Sequence, residues 1–532
     1  MMLTQTWHIV LVVFQPDGAH APSFVRFFIA VFAATTFVPA DAVLQYQMPR
    51  AADRAVVHID TARALRDLPV RFLSVALDTA HVVGAPFWGG STEHGKGVNL
   101  NESRLRLLAT AIGPSYLRVG GTDADRIVYD MQSPDARSVD SNGRSVLTAA
   151  RWNELADFVR AIDYKLVFTL NFGEASRDEN GDWDPESARA LIEHAAKQSD
   201  PVAVWEAGNE LNAYWLLYAH WLTPRRYAAD VARLRQLVQS HAPEVRVAGP
   251  AVAFWPGVGE GLSFLRPFLA EVKDGVDIVS WHYYPTQSSR CPVSSSPARV
   301  SHLLTPLQLD EVKRWESFVE SARDENGHPM EMWLGETGSA QCGGEPGFSD
   351  RFASSFWWLD ELGMMAREGQ SVVIRQSLVG GAYALIDLAT MRPRPDYWAT
   401  VLWRRLMGTK VLAASVDEPT RPIRVYAHCT AGDGNGSITL LLMNLHDRQT
   451  TEVRLPDLSG FMELYRLTAT SIDAAEVSLG NELLRLDAQG SLPDLRPTIT
   501  ASSPSDHATT LALAPETIVF AVFPDANFPA CR

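Results

Sequence analysis

Short apolar runs rich in Val, Ile and Leu recur from about residue 70 onward, each followed by a stretch of helical periodicity, which is the signature of βα units. Eight such runs occur: Phe72–Leu77, Tyr116–Val119, Leu166–Leu170, Val202–Trp205, Val245–Ala248, Asp277–Trp281, Glu331–Leu334 and Val372–Arg375. The helical stretches carry end signals. Leu105, Leu108 and Ile112 share a face of one helix, which stops at Gly113-Pro114. Asp184-Pro185 and Thr223-Pro224 each set a capping oxygen ahead of a proline at the first helical position, where no N–H is needed. Asp396 and Gly408 are expected to bracket the last helix. Eight strands with seven or eight crossovers over residues 61–408 predict an α/β fold, a (β/α)8 TIM barrel. An open doubly wound sheet is the alternative, but no GxGxxG follows the first strand and no P-loop occurs.

From about residue 410 the pattern becomes strands without long helices: Ile423–His428, Ile438–Leu445, Thr450–Leu455, Phe461–Leu467 and Thr517–Phe523, divided by turn clusters such as Gly432-Asp433-Gly434-Asn435-Gly436. A C-terminal β-sandwich is the economical reading. Ala55–Ile59 is strand-like with no helix after it and is expected to add to that domain, so residues 43–60 plus 409–532 form the predicted sandwich.

Composition narrows the function. The 532 residues are 46% hydrophobic, enough for large cores, and Asp+Glu 62 against Lys+Arg 47 gives a net charge of −15. So acidic a chain is a poor general binder of nucleic acid, and it is in tension with any polyanionic substrate. Near the N-terminus, Arg26 precedes the apolar run Phe27–Ala34, which closes at the small-x-small sequence Ala40-Asp41-Ala42. Residues 1–42 therefore read as a signal peptide rather than a buried helix, and the mature protein is expected to be secreted or periplasmic, with no membrane span. The four cysteines are too few and scattered for a disulfide scaffold or a CxxC metal site. Export makes disulfides plausible, and four cysteines allow three pairings. No metal constellation is visible, and no cofactor is expected.

In a (β/α)8 barrel the chemistry sits at the C-terminal ends of the strands. Two carboxylates stand there: Glu210 in Trp205-Glu206-Ala207-Gly208-Asn209-Glu210, after the fourth strand, and Glu336 in Trp333-Leu334-Gly335-Glu336-Thr337, at the end of the seventh. Either glutamate alone reads as an ordinary loop residue. Together they lie across one barrel mouth, so that one carboxyl group can approach each side of a sugar ring, as glycoside hydrolysis requires. Gly208 and Gly335 would let backbone come close to a ligand or a neighbouring strand.

Tyr116-Leu117-Arg118-Val119-Gly120-Gly121-Thr122, Trp205–Glu210 with Leu211-Asn212, Trp281-His282-Tyr283-Tyr284, Trp333–Thr337, Val373-Ile374-Arg375-Gln376 and Asp396-Tyr397-Trp398 together resemble family 79 of the glycoside hydrolases, the heparanase-like β-glucuronidases. The likeness runs in order from about Phe72 to Cys531. It implies a retaining β-glucuronidase with Glu210 as acid/base and Glu336 as nucleophile. It further implies substrate-binding roles for Asp78, Thr122, Asn209, His282, Tyr284, Gln376 and Tyr383, with the backbone N–H groups of Gly343 and Gly344 as part of a uronate carboxylate site. Asn209 would bond the 2-hydroxyl, and Tyr284 would orient Glu336. Retention requires carboxyl groups about 5 to 5.5 Å apart.

Two departures from the family pattern matter. Cys342 follows the nucleophile where the animal enzyme has a tyrosine and glycines. Cys342 and Cys291 both fall in loops on the active-site face, so a Cys291–Cys342 disulfide is expected to pin the rim, while Cys429 and Cys531 resemble the family's sandwich disulfide. Met131 to Leu147 is a short polar connection in place of a long excised segment, which implies a single chain needing no internal cleavage.

The substrate implied is a glucuronate-containing polysaccharide, with heparan sulfate cut in endo fashion by a monomeric enzyme. An exo-enzyme on non-sulfated glucuronides and a non-catalytic glycan-binding barrel are the alternatives. An endo-enzyme on a sulfated chain needs basic subsites, for which Lys96, Arg177 and Arg290 are candidates, and the glycine-rich insertion between Val83 and Leu100 would shape one side of the cleft.

Overall fold

The computed structural model describes residues 54–87, 97–132, 139–140, 142–217, 221–260, 263–432, 435–502 and 508–532. The leader expected over residues 1–42 lies outside them. Residues 53–532 form one compact unit. No helix of the described residues is long and apolar enough to cross a membrane.

Two strands, β1 (Arg54–Ile59) and β2 (Arg66–Asp67), precede the barrel. Then come β3 (Leu73–Asp78) and β4 (Tyr116–Gly120), a small parallel pair β5 (Val128–Asp130) and β6 (Val146–Thr148), and β7 (Lys165–Leu170). Next are β8 (Val202–Ala207), β9 (Arg246–Phe254), β10 (Ile278–Tyr283), β11 (Glu331–Thr337) and β12 (Val372–Arg375). β3, β4 and β7 to β12 close into a parallel barrel in chain order. These are the eight strands expected from the apolar runs. Their inward side chains Ala76, Val167, Val204, Ala248, Ile278, Trp333, Val372 and Ile374 fill the interior as a core of their own.

Most helix ends obey the local rules. The helix Ser103–Ile112 buries Leu105, Leu108, Ala109 and Ile112 and stops at Gly113, whose φ is 85°. Thr223 Oγ1 accepts from Arg226 N–H ahead of Pro224, and Asp184 Oδ1 accepts from Glu186 N–H. The last helix differs from expectation. It spans Pro395–Leu406, and Asp396 lies inside its first turn, buried against Arg375, Ser354 and Ser355, rather than capping it. Gly408 belongs to a strand, because the chain passes from helix to sheet at Met407 without a turn.

The remaining strands are β13 (Met407–Leu412), β14 (Ala414–Val416), β15 (Ile423–Thr430), β16 (Ile438–Asn444), β17 (Thr451–Leu455) and β18 (Phe461–Thr468). After them come β19 (Ser478–Leu479), β20 (Glu482–Leu483), β21 (Thr498–Ala501), β22 (Thr509–Leu513) and β23 (Thr517–Phe523). One sheet runs β2-β13-β15-β16-β23-β18-β19-β20, with β21 also on β18, and faces a four-stranded sheet, β14-β1-β17-β22. β1 pairs with β17 in parallel and with β14 antiparallel, as the lone early strand suggested. β2 joins the larger sheet beside β13, although its residues fall within the span expected for the barrel.

The larger sheet has two apolar faces. Val425, Ala427, Leu440, Leu442, Val519 and Ala521 pack on the smaller sheet, whereas Tyr426, Leu441, Met443 and Phe520 join the barrel's core. Contact with the helix Phe352–Glu368 is so close that a Cβ on Gly363 would lie 2.3 Å from the Tyr426 ring. Asp360 on that helix accepts from Arg424 Nε and Tyr426 Oη, both at 2.6 Å.

Candidate active site

The mouth of the barrel is built on a buried charge cluster one layer below it. Arg118 is the third residue of β4 and is fully buried. Its Nε donates to Glu206 Oε2 at 2.8 Å, Nη1 to Glu336 Oε2 at 2.7 Å, and Nη2 to Asn209 Oδ1 at 2.9 Å. Glu206, on β8, also accepts from Thr169 Oγ1 of β7 at 2.6 Å and from Ser280 Oγ of β10 at 2.9 Å. A buried cation of this kind is tolerable because each guanidinium nitrogen meets an acceptor. The backbone is shaped around the cluster: a Cβ on Gly335 would lie 2.2 Å from Ser280 Oγ. Gly335 therefore makes room for a neighbouring strand, one of the two uses expected of it.

Glu336 is the last residue but one of β11, where the pairing register shifts and the side chain turns into the mouth. Tyr284 Oη donates to its Oε1 at 2.6 Å, and its Oε2 holds Arg118. Burial alone would raise this carboxyl group, but the neighbouring His282 and Arg118 charges and the Tyr284 hydroxyl outweigh burial and hold Glu336 below the ordinary glutamate range. Tyr284 is itself pushed well above the usual tyrosine value by burial and then by the Glu336 charge, so it stays a donor.

Glu210 sits opposite. Its backbone is left-handed, with φ 51° and ψ 52°, and is held there by its N–H to Ala251 O at 2.9 Å. The preceding turn needs Gly208, at φ 77°, whose missing Cβ would meet Phe172 and the Tyr214 hydroxyl rather than a ligand. His282 Nδ1 lies 3.3 Å from Glu210 Oε1 and 4.0 Å from Glu336 Oε2. One atom from each of Glu210, His282 and Glu336 falls within 4.8 Å of the others. Such convergence is what a metal ion would need, and here the Arg118 guanidinium already stands against Glu336.

The other residues named from sequence mostly gather around this pair. Asp78 ends β3 and caps the next helix by accepting from Ala80 N–H at 2.9 Å. Burial, with the Asp123 and Glu336 charges, pushes its carboxyl group well above the ordinary aspartate range. Asn209 accepts through Oδ1 from Arg118 and Gly121 N–H, and its own N–H donates to Asp125, which also holds Phe172 N–H. Gln376 Nε2 reaches Tyr383 Oη at 3.2 Å and Asp78 Oδ2 at 3.4 Å. Tyr383 stacks on Tyr284 with centroids 6.4 Å apart. Gly343 and Gly344 are both at positive φ; Gly343 O accepts from Ala382 N–H at 2.7 Å, and a Cβ on Gly344 would lie 2.5 Å from Tyr383 N. Thr122 opens the short 3-10 turn after β4.

Both disulfides form as expected. Cys291–Cys342 ties the loop after β10 to the loop after β11, and Cys429–Cys531 ties β15 to the C-terminus. Two of the basic candidates are engaged elsewhere. Arg177 is buried on Asp230 at 2.9 Å and donates to Phe172 O. Arg290 donates to Gly344 O at 2.8 Å. Lys96 lies outside the described residues. Arg118, Glu206, Thr169 and Ser280 were not singled out from sequence, although a charged residue inside an apolar strand run is itself a signal of a buried pair.

Residues 72–363 match the model for the glycosyl hydrolase family 79 N-terminal domain. "Heparanase" of Gallus gallus is 30% identical, with 81% of this chain and 90% of that protein covered. "Baicalin-beta-D-glucuronidase" of Scutellaria baicalensis is 29% identical, with 84% and 87% covered. Among solved structures, a 4-O-alpha-L-rhamnosyl-beta-D-glucuronidase from Fusarium oxysporum superposes with a TM-score of 0.66 at 15% identity, over 88% of this chain and all of that one, a likeness of fold. With the matched family model spanning more than half of the residues, the chain belongs to glycosyl hydrolase family 79.

Proposed function

We propose that this protein is a retaining β-glucuronidase that removes glucuronate from unsulfated or weakly sulfated glucuronides. The observation that carries the reading is that one carboxyl oxygen of Glu210 and one of Glu336 lie within 4.8 Å of each other, an approach that suits the separation of about 5 to 5.5 Å of a double-displacement pair better than the gap of about 6.5 to 9.5 Å that leaves room for water. Glu336, held ionised by Arg118 and Tyr284, attacks the anomeric carbon while Glu210 gives its proton to the leaving oxygen. Glu210, now a carboxylate beside His282, then takes a proton from the water that frees the sugar. Asn209, with Oδ1 already committed, presents its amide to the 2-hydroxyl. Tyr383, Gln376 and the Gly343-Gly344 amides would hold the uronate carboxylate through neutral donors.

Exposed apolar side chains on the loops at the barrel mouth favour a weakly charged aglycone. Trp221, Val258 and Val293 are 66%, 57% and 65% exposed on the successive loops after β8, β9 and β10, the first of which also carries Glu210. Arg177 and Arg290, two of the cations on which a sulfated chain would depend, are committed to protein acceptors. The test is product sizing after incubation with an aryl β-glucuronide, an unsulfated glucuronate-ended oligosaccharide and heparan sulfate. Free glucuronate from the first two, with heparan sulfate unshortened, is the expected result. Large heparan sulfate fragments would restore the endo reading, and binding without any hydrolysis would point to an idle glycan-binding barrel.

A further inference from the structure

Beneath the reacting pair, four barrel strands send one polar side chain each to a single point: Arg118 from β4, Thr169 from β7, Glu206 from β8 and Ser280 from β10. Glu206 is 1% exposed, and no step proposed above uses it. Its carboxylate accepts three hydrogen bonds, and its charge faces the same guanidinium that holds Glu336. Arg118 thus bridges two carboxylates, one beside the reaction and one removed from it.

We infer that Glu206 is a positioning and charge-balancing residue, which keeps the Arg118 guanidinium neutralised and in place when Glu336 loses its charge. This rests on the double-displacement reading above. In the first step the Glu336–anomeric carbon bond forms, the bond to the leaving oxygen breaks with its electron pair on that oxygen, and the proton comes from Glu210. Negative charge leaves Glu336 and appears on Glu210. Without Glu206, the fully buried Arg118 would then face an uncharged ester with no counter-ion, a costly state. With Glu206 present, the pair Arg118–Glu206 is neutral before and after, and Glu336 carries the one surplus charge available for attack. Glu206 also tempers the grip of Arg118 on the nucleophile, since a guanidinium bound to Glu336 alone would stabilise its anion further and make it less reactive.

The charge of Glu336 is set by Arg118, His282, Tyr284, Glu210, Asp78 and Tyr383, the titratable and charged groups that face it. Against that background E206Q removes one negative charge and little volume. The acid limb of kcat/KM on an aryl glucuronide should move down by about one pH unit, kcat/KM should fall roughly tenfold, and the burst of aryl release should shrink as the first step slows. E206D, which keeps the charge, should leave the limb near its wild-type position.

Carbon NMR titration of the Glu336 carboxyl group, identified by its loss in E336Q, gives the same shift without turnover. It therefore separates the two ideas: an inactive wild type whose Glu336 still titrates lower in E206Q would refute the hydrolase reading and keep the coupling. If E206Q fails to fold, the charge-neutral double variant R118M/E206Q should titrate below R118M. A limb and a titration that stay in place or rise, in a folded variant, would overturn the role of Glu206.

Discussion

Replacing Arg118 with Met should reveal how much of the site rests on one buried cation. The guanidinium is fully buried and lies 2.7 Å from both Glu206 and Glu336, so R118M leaves two buried carboxylates facing each other across an apolar side chain. Removing one partner of a buried pair costs about 3 to 5 kcal/mol, a large part of the roughly 5 to 15 kcal/mol that holds a domain folded. The local effect has a definite sign. An opposite charge at about 4 Å in an effective dielectric of about 20 is worth up to about 4 kcal/mol, near three pKa units, and measured effects of this kind run from about 1 to 3 units. Glu336 should therefore move from below the ordinary glutamate range to above it, and the acid limb of kcat/KM should rise by about 1 to 3 pH units. Thermal melting and a pH–rate profile on an aryl glucuronide read both quantities. R118K, which keeps the charge but loses the fork of donors, should fall between R118M and wild type on both. A melting temperature and acid limb unchanged in R118M would refute the view that this cation organises the site.

Two further outcomes concern stability. C429S, with C531S, opens a bridge spanning 102 residues at the end of the molecule away from the barrel mouth; it should cost about 2 to 4 kcal/mol in denaturant melts while leaving kcat/KM at 25 °C within about twofold. His81 is fully buried beside Phe87, neither ring nitrogen has a partner among the described residues, and burial lowers it to about 4. It is neutral in the fold and takes up a proton on unfolding below about pH 6.5, so its contribution is complete above that pH and is lost as the pH falls towards 4, by about 3 kcal/mol at most. H81F should flatten the acid side of the stability profile; an identical profile in both proteins would show that His81 is not neutral in the fold.

The barrel was legible because its strands are buried on both faces and so read as largely apolar runs, as in Leu166–Leu170. That Glu210 and Glu336 would meet at the barrel mouth was legible because strand ends define the mouth of such a barrel. Short strands escaped notice: β14, β19 and β20 have two or three residues each, too few for an alternating pattern. Asp396 had the composition of a helix cap, and only the three-dimensional approach of Arg375 shows its real partner. The Arg118–Glu206 pair was hidden for a similar reason. Its members are 88 residues apart on β4 and β8, strands that do not neighbour each other, so only closure of the barrel brings them together.

The account turns on double displacement by Glu336 with Glu210 as its acid, and the stereochemistry of the first product tests that most directly. Proton NMR of an aryl β-glucuronide during the first minutes of hydrolysis should show β-glucuronate appearing first, with the α-anomer growing in only by mutarotation. Initial release of the α-anomer would mean direct attack by water and would contradict the roles assigned to both glutamates.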